Sequence, residues 1–242
     1  MDAPINALVF LLDRSGSMQK IADSTIESFN AYMTDMRKVS DLLATLIIFD
    51  STSIDTLYKR EPIAEVPALT HETFIPRHGT PLIDAACKTI QGAIEAYKPT
   101  DKVIIAILTD GLENESREHT RADLAALVKQ VTAFGWQVVF LGASIDAYQD
   151  AGRAGIAAGR TMSYNSRDKA ATRVMFAGVA GQSINFYEDG AAMDFSSELK
   201  AEAGDQFVPK AEDEKAKVVE APVAAASGGA TAAKGLVDTP DV

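Results

Sequence analysis

The sequence predicts an α/β fold: a doubly wound, mostly parallel central sheet with one antiparallel edge strand and helices on both faces. Short β-rich runs alternate with longer segments of helical period, which is the pattern of strands joined by crossover helices. Two of the runs, Leu46 to Phe49 and Val103 to Leu108, are apolar on successive residues, as strands covered on both faces are. A third, Ser53 to Tyr58, alternates polar and apolar residues directly after Asp50-Ser51-Thr52 and predicts a hairpin partner at a sheet edge.

Taken in order, strands are predicted at Ala7 to Leu12, Leu43 to Phe49, Ser53 to Tyr58, Lys102 to Leu108, Gln137 to Leu141 and Thr161 to Ser163. Helices fit Ile21 to Arg37, Pro81 to Tyr97, Arg121 to Phe134 and Asp168 to Phe186. In the third of these, Leu124, Leu127, Val128 and Val131 form an apolar stripe to lay on the sheet. Thr80 before Pro81 predicts a hydroxyl cap followed by a ring lacking the donor that a first turn cannot use. Glu61 to Gly79 carries several prolines and little periodicity, so it is expected to be a long connection over the sheet's upper edge. Residues 1–207 are assigned to one domain. Residues 208–242 turn to Ala, Lys, Glu, Pro and Gly without an aromatic residue, a composition expected to stay flexible unless a partner orders it.

With 242 residues, 47% of them hydrophobic, the chain can bury one sizeable core. A single Cys87 excludes a disulfide framework within the chain. The net charge of -11 repels phosphate backbones and anionic lipid, so neither nucleic acid nor membrane is an expected partner. Leu8 to Leu12 follows no basic segment and ends early at Asp13, unlike a signal sequence, and the expected location is cytoplasmic, or virion-associated if the chain is phage-encoded.

Chemistry concentrates at strand ends. Asp13, Ser15 and Ser17 follow the first strand, Thr80 opens the second helix and Asp110 closes the fourth strand. In a doubly wound sheet, ligands bind at the carboxyl ends of strands where the strand order reverses. The Asp-x-Ser-x-Ser spacing brings alternate side chains round one turn. A donor set of hydroxyls and carboxylates, with no thiol or imidazole, suits a small hard cation.

These stretches, Phe10 to Met18, Gly79 to Ala85 and Ile107 to Gly111, resemble the three motifs of a von Willebrand factor type A domain with a complete metal-ion-dependent adhesion site. The resemblance covers about residues 5–187 and is strongest to small stand-alone bacterial and phage members, with Gly111 to Ser116 and Phe140 to Ala143 also similar. It implies that Ser15, Ser17 and Thr80 hold Mg²⁺ or Mn²⁺ directly or nearly so, while Asp13 and Asp110 hold its waters. An open position would take an Asp or Glu of a protein partner, so binding rather than turnover is the expected output. Where the family commonly has Gly-Gly-Thr, this chain has His78-Gly79-Thr80.

Each match has a plainer meaning: a strand-to-helix turn, a helix cap and an Asp-Gly turn. Their conjunction on one predicted edge favours the metal site. Arg14, Arg77 and His78 are expected on a partner-binding rim. Asp84 is read either as facing the crevice or as stabilising its helix N-terminus, Glu113 and Glu115 as a solvated loop, and His71 and His119 as surface residues. Cys87 is read as a small core residue, and Trp136 as packing at the start of a strand. A second reading is a structural or assembly role, as a phage particle protein or an adaptor of a MoxR-type ATPase, with the tail as tether to a large assembly. A metal-dependent hydrolase has less behind it, because the chain lacks a Gly-x-Ser-x-Gly elbow and a phosphate-binding Gly-rich loop.

Overall fold

The computed structural model describes residues 3–111, 113–143 and 147–205. The tail expected from residue 208 lies outside the described residues.

Six strands form one sheet in the order β3-β2-β1-β4-β5-β6. They are β1 (Asn6–Asp13), β2 (Leu42–Phe49), β3 (Ile54–Pro62), β4 (Lys102–Thr109), β5 (Gln137–Gly142) and β6 (Thr161–Ser163). All neighbours run parallel except β3, which pairs antiparallel with β2 at the edge. The α/β architecture is therefore the predicted one. The order reverses at β1 and β4, which lie side by side, so the loops after Asp13 and Thr109 open into one crevice.

Helices cover both faces: α1 (Ala22–Met36), α2 (Leu82–Ala96), α3 (Arg121–Ala133), α4 (Ala147–Arg153), α5 (Lys169–Asp189) and α6 (Ser197–Glu202). Alternation along β1 divides two cores. Leu8, Phe10 and Leu12 face α1 and α5, where Phe10 meets Phe29 edge-on at 5.1 Å between ring centroids. Ala7, Val9 and Leu11 face α2 and α3 on the other side. Trp136 is fully buried there, edge-on to Phe134 and Tyr97, which agrees with its expected packing role. Cys87 is buried in the same core, and burial pushes its thiol up to about 12.

The structure corrects several boundaries. β3 continues to Pro62 because a register irregularity around Thr45 lets Arg60 adopt a left-handed φ of 53° while its N–H donates to Thr45 Oγ1 at 3.0 Å. The connection after it is no bare loop. Ile63, Val66, Leu69 and Phe74 are buried in the α1 core, and the Asn30 side chain both donates to Leu69 O and accepts from Leu69 N. The short helices α4 and α6 were not anticipated, since 7 and 6 residues carry too little period to read. Among the described residues no helix is long and apolar enough to cross a membrane.

Candidate metal centre

β1 ends at Asp13, which is fully buried beneath the turn that follows. Its Oδ1 accepts from Ser15 N at 2.6 Å, and its Oδ2 accepts from Thr109 Oγ1 at 2.6 Å, tying the end of β1 to the end of β4. Ser15 Oγ and Ser17 Oγ lie 3.0 Å apart. Ser17 Oγ then donates to Asp110 Oδ1 at 2.6 Å.

Thr80 closes the group from a third segment. Predicted as a helix cap, it makes no such bond: α2 starts at Leu82 with Pro81 in the cap position and no side-chain cap. Glu113 Oε2 accepts from Ile83 N at 2.7 Å and Ser116 Oγ from Asp84 N at 3.1 Å, so a loop distant in sequence satisfies the first turn of α2. The Thr80 hydroxyl turns inward instead. A Cβ placed on Gly111 would lie 2.8 Å from Thr80 Oγ1, 3.5 Å from Ser17 Oγ and 3.6 Å from Asp13 Oδ2. Oxygens of Thr80, Ser17 and Asp13 therefore all lie close against Gly111, which has no side chain to crowd them.

The five residues Asp13, Ser15, Ser17, Thr80 and Asp110 are thus brought together. Among the described residues no three or more His, Cys, Asp or Glu side chains form a metal-holding group, so this cluster rests on two carboxylates and three hydroxyls. Among the described residues no positive charge lowers either carboxyl. Burial pushes the Asp13 carboxyl up to about 6, the bonds from Thr109 and Ser15 oppose that, and the charge of Asp110 adds to it. Burial likewise raises Asp110, against the bond from Ser17. A hard cation held among these oxygens would offset this penalty, and an oxygen set of this kind fits Mg²⁺.

The expected rim residues divide. Arg14 does not face the opening: it is buried, its Nε donates to Asp50 Oδ2 at 2.7 Å and its Nη2 to Ser53 Oγ at 2.6 Å, with Asp55 also paired to Nη2. Its charge is committed to the β2–β3 turn, and a role in steering a partner does not fit that position. Arg77 is exposed, and its Nε donates to Asp50 Oδ2 at 2.8 Å. Burial pushes the Asp50 carboxyl up, but bonds from Arg77, Thr52 N and Ser53 N and the charge of Arg14 outweigh it and hold it at about 2. His78 is exposed beside the cluster with φ 61°, and its carbonyl accepts from Gly16 N at 2.9 Å. The departure from Gly-Gly-Thr is accommodated by a histidine in the left-handed region, where glycine is the usual residue.

Other positioning residues escaped the sequence reading. Asn114 Oδ1 accepts from Thr80 N at 2.9 Å and Asn114 N donates to Thr80 O at 3.2 Å, a two-bond clamp on the third segment. Glu113 is committed to α2 and to Ser116, so it is no solvated loop residue. Asp84 neither enters the crevice nor caps its own helix: its carboxylate accepts from the N–H groups of Arg117, Glu118 and His119. His119 also approaches Asp84 at 3.3 Å and is only partly exposed, whereas His71 is exposed near Asp23. The available signal was the run Glu113-Asn114-Glu115-Ser116, in which the side chains of Glu113, Asn114 and Ser116 have fixed tasks between Gly111 and α3.

A cavity of about 920 Å³ lies elsewhere, between β2, β3 and α2, and none of the five residues lines it. Its lining touches Asp50 and Pro81 at the back of the Thr80 segment.

No protein-family model and no curated protein sequence matches the chain. Solved structures do match its fold. The PilB minor pilin from Streptococcus sanguinis aligns with a TM-score of 0.59 at 13% identity, over 79% of this chain and 64% of that one. A von Willebrand factor type A protein from Catenulispora acidiphila gives 0.54 at 19% identity, over 76% and 43%. The ArnB paralog VWA2 from Sulfolobus acidocaldarius gives 0.55 at 18% identity, over 75% and 46%. The chain therefore spans less than two thirds of each of these proteins.

Proposed function

We propose, starting from a fold shared with von Willebrand factor type A structures, that this chain is a protein-interaction module whose binding depends on a divalent cation. The convergence of Asp13, Ser15, Ser17, Thr80 and Asp110 beside Gly111, linked by contacts among their own oxygens, is the observation that supports this reading. Ser15, Ser17 and Thr80 would hold Mg²⁺ or Mn²⁺, with Asp13 and Asp110 completing its surroundings. The cation supplies an electrophile for a carboxylate oxygen of the partner's Asp or Glu. The chain's own residues do the rest. Thr109 and Ser15 N fix the Asp13 carboxylate, Asn114 fixes Thr80, and Arg14 with Asp50 fixes the turn on which the serines ride.

The reading is one of binding and not of turnover. Because a ligand bound only by the folded state stabilises it by mass action, Mg²⁺ or Mn²⁺ is expected to raise the melting temperature and EDTA to reverse the rise. Asp13→Ala and Thr80→Ala are expected to keep the fold by circular dichroism and lose the response. No response in the unaltered protein, or an equal response in both variants, refutes the site. Robust Mg²⁺-dependent hydrolysis of generic phosphate or carboxyl esters, abolished in Asp13→Ala, would replace the binding reading with an enzymatic one.

A further inference from the structure

The C-terminal ends of β4, β5 and β6 form a ladder beside the cluster. Thr109 pairs with Gly142, and Gly142 with Ser163. The ladder extends one step further, with Ala143 N donating to Thr109 O and Tyr164 N to Gly142 O, both at 3.0 Å. Asp110, Ala143 and Tyr164 thus continue three adjacent strands by one residue each, which sets Asp110 and Tyr164 about two strand spacings, roughly 9.6 Å, apart. Leu108 and Met162, two residues earlier on each strand, belong to the α1 and α5 core, as Tyr164 itself does. Between them stands Ala143, a small residue partly buried against the same core.

Tyr164 is 3% exposed, and its hydroxyl is fully shielded with no hydrogen-bond partner among the described residues. A buried hydroxyl left without a partner is costly, and natural folds retain few. Burial pushes the phenol well above its usual value, and the charges of Asp110 and then Asp13 push it in the same direction, so those two carboxylates are the charges it senses. The phenol stays protonated, so it is a hydrogen-bond donor on the strand end two places from Asp110.

We infer that Tyr164 is a positioning residue of the crevice, whose O–H donates toward the Asp110 side of the cluster, to that carboxylate or to a water it holds, and thereby favours the cation-loaded arrangement. The inference rests on the metal-binding reading and adds a donor that the five-residue motif does not include. Its partner is the site itself, so the hydroxyl should matter when the site is loaded and not for folding.

Tyr164→Phe removes only the oxygen, and Mg²⁺ titration calorimetry together with metal-free melting tests the inference. The metal-free melting temperature should stay level or rise, because an unsatisfied buried hydroxyl is gone, while the Kd for Mg²⁺ rises about tenfold or more, the loss expected for one hydrogen bond to a charged partner. Unchanged Mg²⁺ affinity in a folded Tyr164→Phe overturns the inference and leaves the metal site standing. A metal-free melting temperature several degrees lower also overturns it, since the hydroxyl would then serve the fold. Absence of Mg²⁺ binding by the unaltered protein overturns the inference together with the reading beneath it, and Asp13→Ala supplies the non-binding control that separates the cases.

Discussion

At the residue scale the cluster concentrates negative charge where water is scarce, and Asp13 makes the sign of that choice measurable. Its folded value of about 6 exceeds that of a free carboxyl, so the metal-free folded chain holds a proton that the unfolded chain has released. Stability from this group is full below about pH 4 and is lost as pH rises through about 6. A cation bound as proposed would compete with that proton. Metal-free melting temperature should therefore fall between about pH 4 and 6 while the Mg²⁺-induced rise grows over the same interval, and a rise that is flat with pH would separate Asp13 from the metal. Asp50 has the opposite sign: held at about 2, it stabilises the fold above about pH 4, and that contribution is lost as pH falls through 2. Arg14→Ala would leave this buried carboxylate half-compensated and should lower unfolding free energy by about 3–5 kcal/mol in urea. Arg77→Ala, at an exposed partner of the same carboxylate, should stay within about 1 kcal/mol. Equal costs for the two would contradict the difference in burial.

At the scale of elements, the site is three loops held by one another. Segment 113–119 satisfies the first turn of α2 through Glu113 and Ser116, and α2 returns the bond through Asp84, which accepts from three consecutive backbone N–H groups. Asp84→Ala should cost about 1–3 kcal/mol and speed amide hydrogen exchange at Arg117 to His119. Exchange that is unchanged there would mean the loop has other support. Gly111→Ala probes the crevice from the opposite side, because the added carbon would lie 2.8 Å from Thr80 Oγ1 and something must move. The expected outcome is a folded protein whose melting temperature no longer responds to Mg²⁺. This reciprocal bracing is also where the sequence was least readable. Asp-x-Ser-x-Ser, Thr80 and Asp110 were visible as motifs because their spacing is local to a strand end. The tasks of Asn114, Glu113 and Asp84 arise from contacts spanning about thirty residues, which no local pattern encodes. Arg14 was misplaced for the same reason: its neighbours in sequence suggest a rim, whereas Asp50 and Ser53 draw it inward.

At the scale of the molecule, the long apolar strands and the amphipathic helices were legible, because their periods of two and 3.6 residues are set by which side chains each core must absorb. The adjacency of β1 and β4, on which the crevice depends, was a conditional reading that the sheet order satisfies. The short helices α4 and α6 and the buried course of the segment after β3 were not legible, since tertiary packing alone decides them. If a cation binds the three loops as proposed, its occupancy would couple to global unfolding. At a concentration one hundred times its Kd, Mg²⁺ should add about 2.7 kcal/mol, a rise of roughly 5–10 °C for a domain of this size. A rise that saturates with the same Kd measured calorimetrically would link the two. A response that never saturates would point to unspecific ionic effects.

The two margins of the sheet have one further consequence. Open strand edges invite other chains to extend a sheet, and proteins guard them with charge, irregular register, proline or brevity. On one side β3 carries Asp55, Lys59, Arg60 and Glu61, an irregular register and Pro62; on the other, β6 is three residues long. The fold therefore offers little template for fibrous stacking, and exchanging Lys59, Arg60 and Glu61 together for valine should convert a clear solution into one that scatters light on standing.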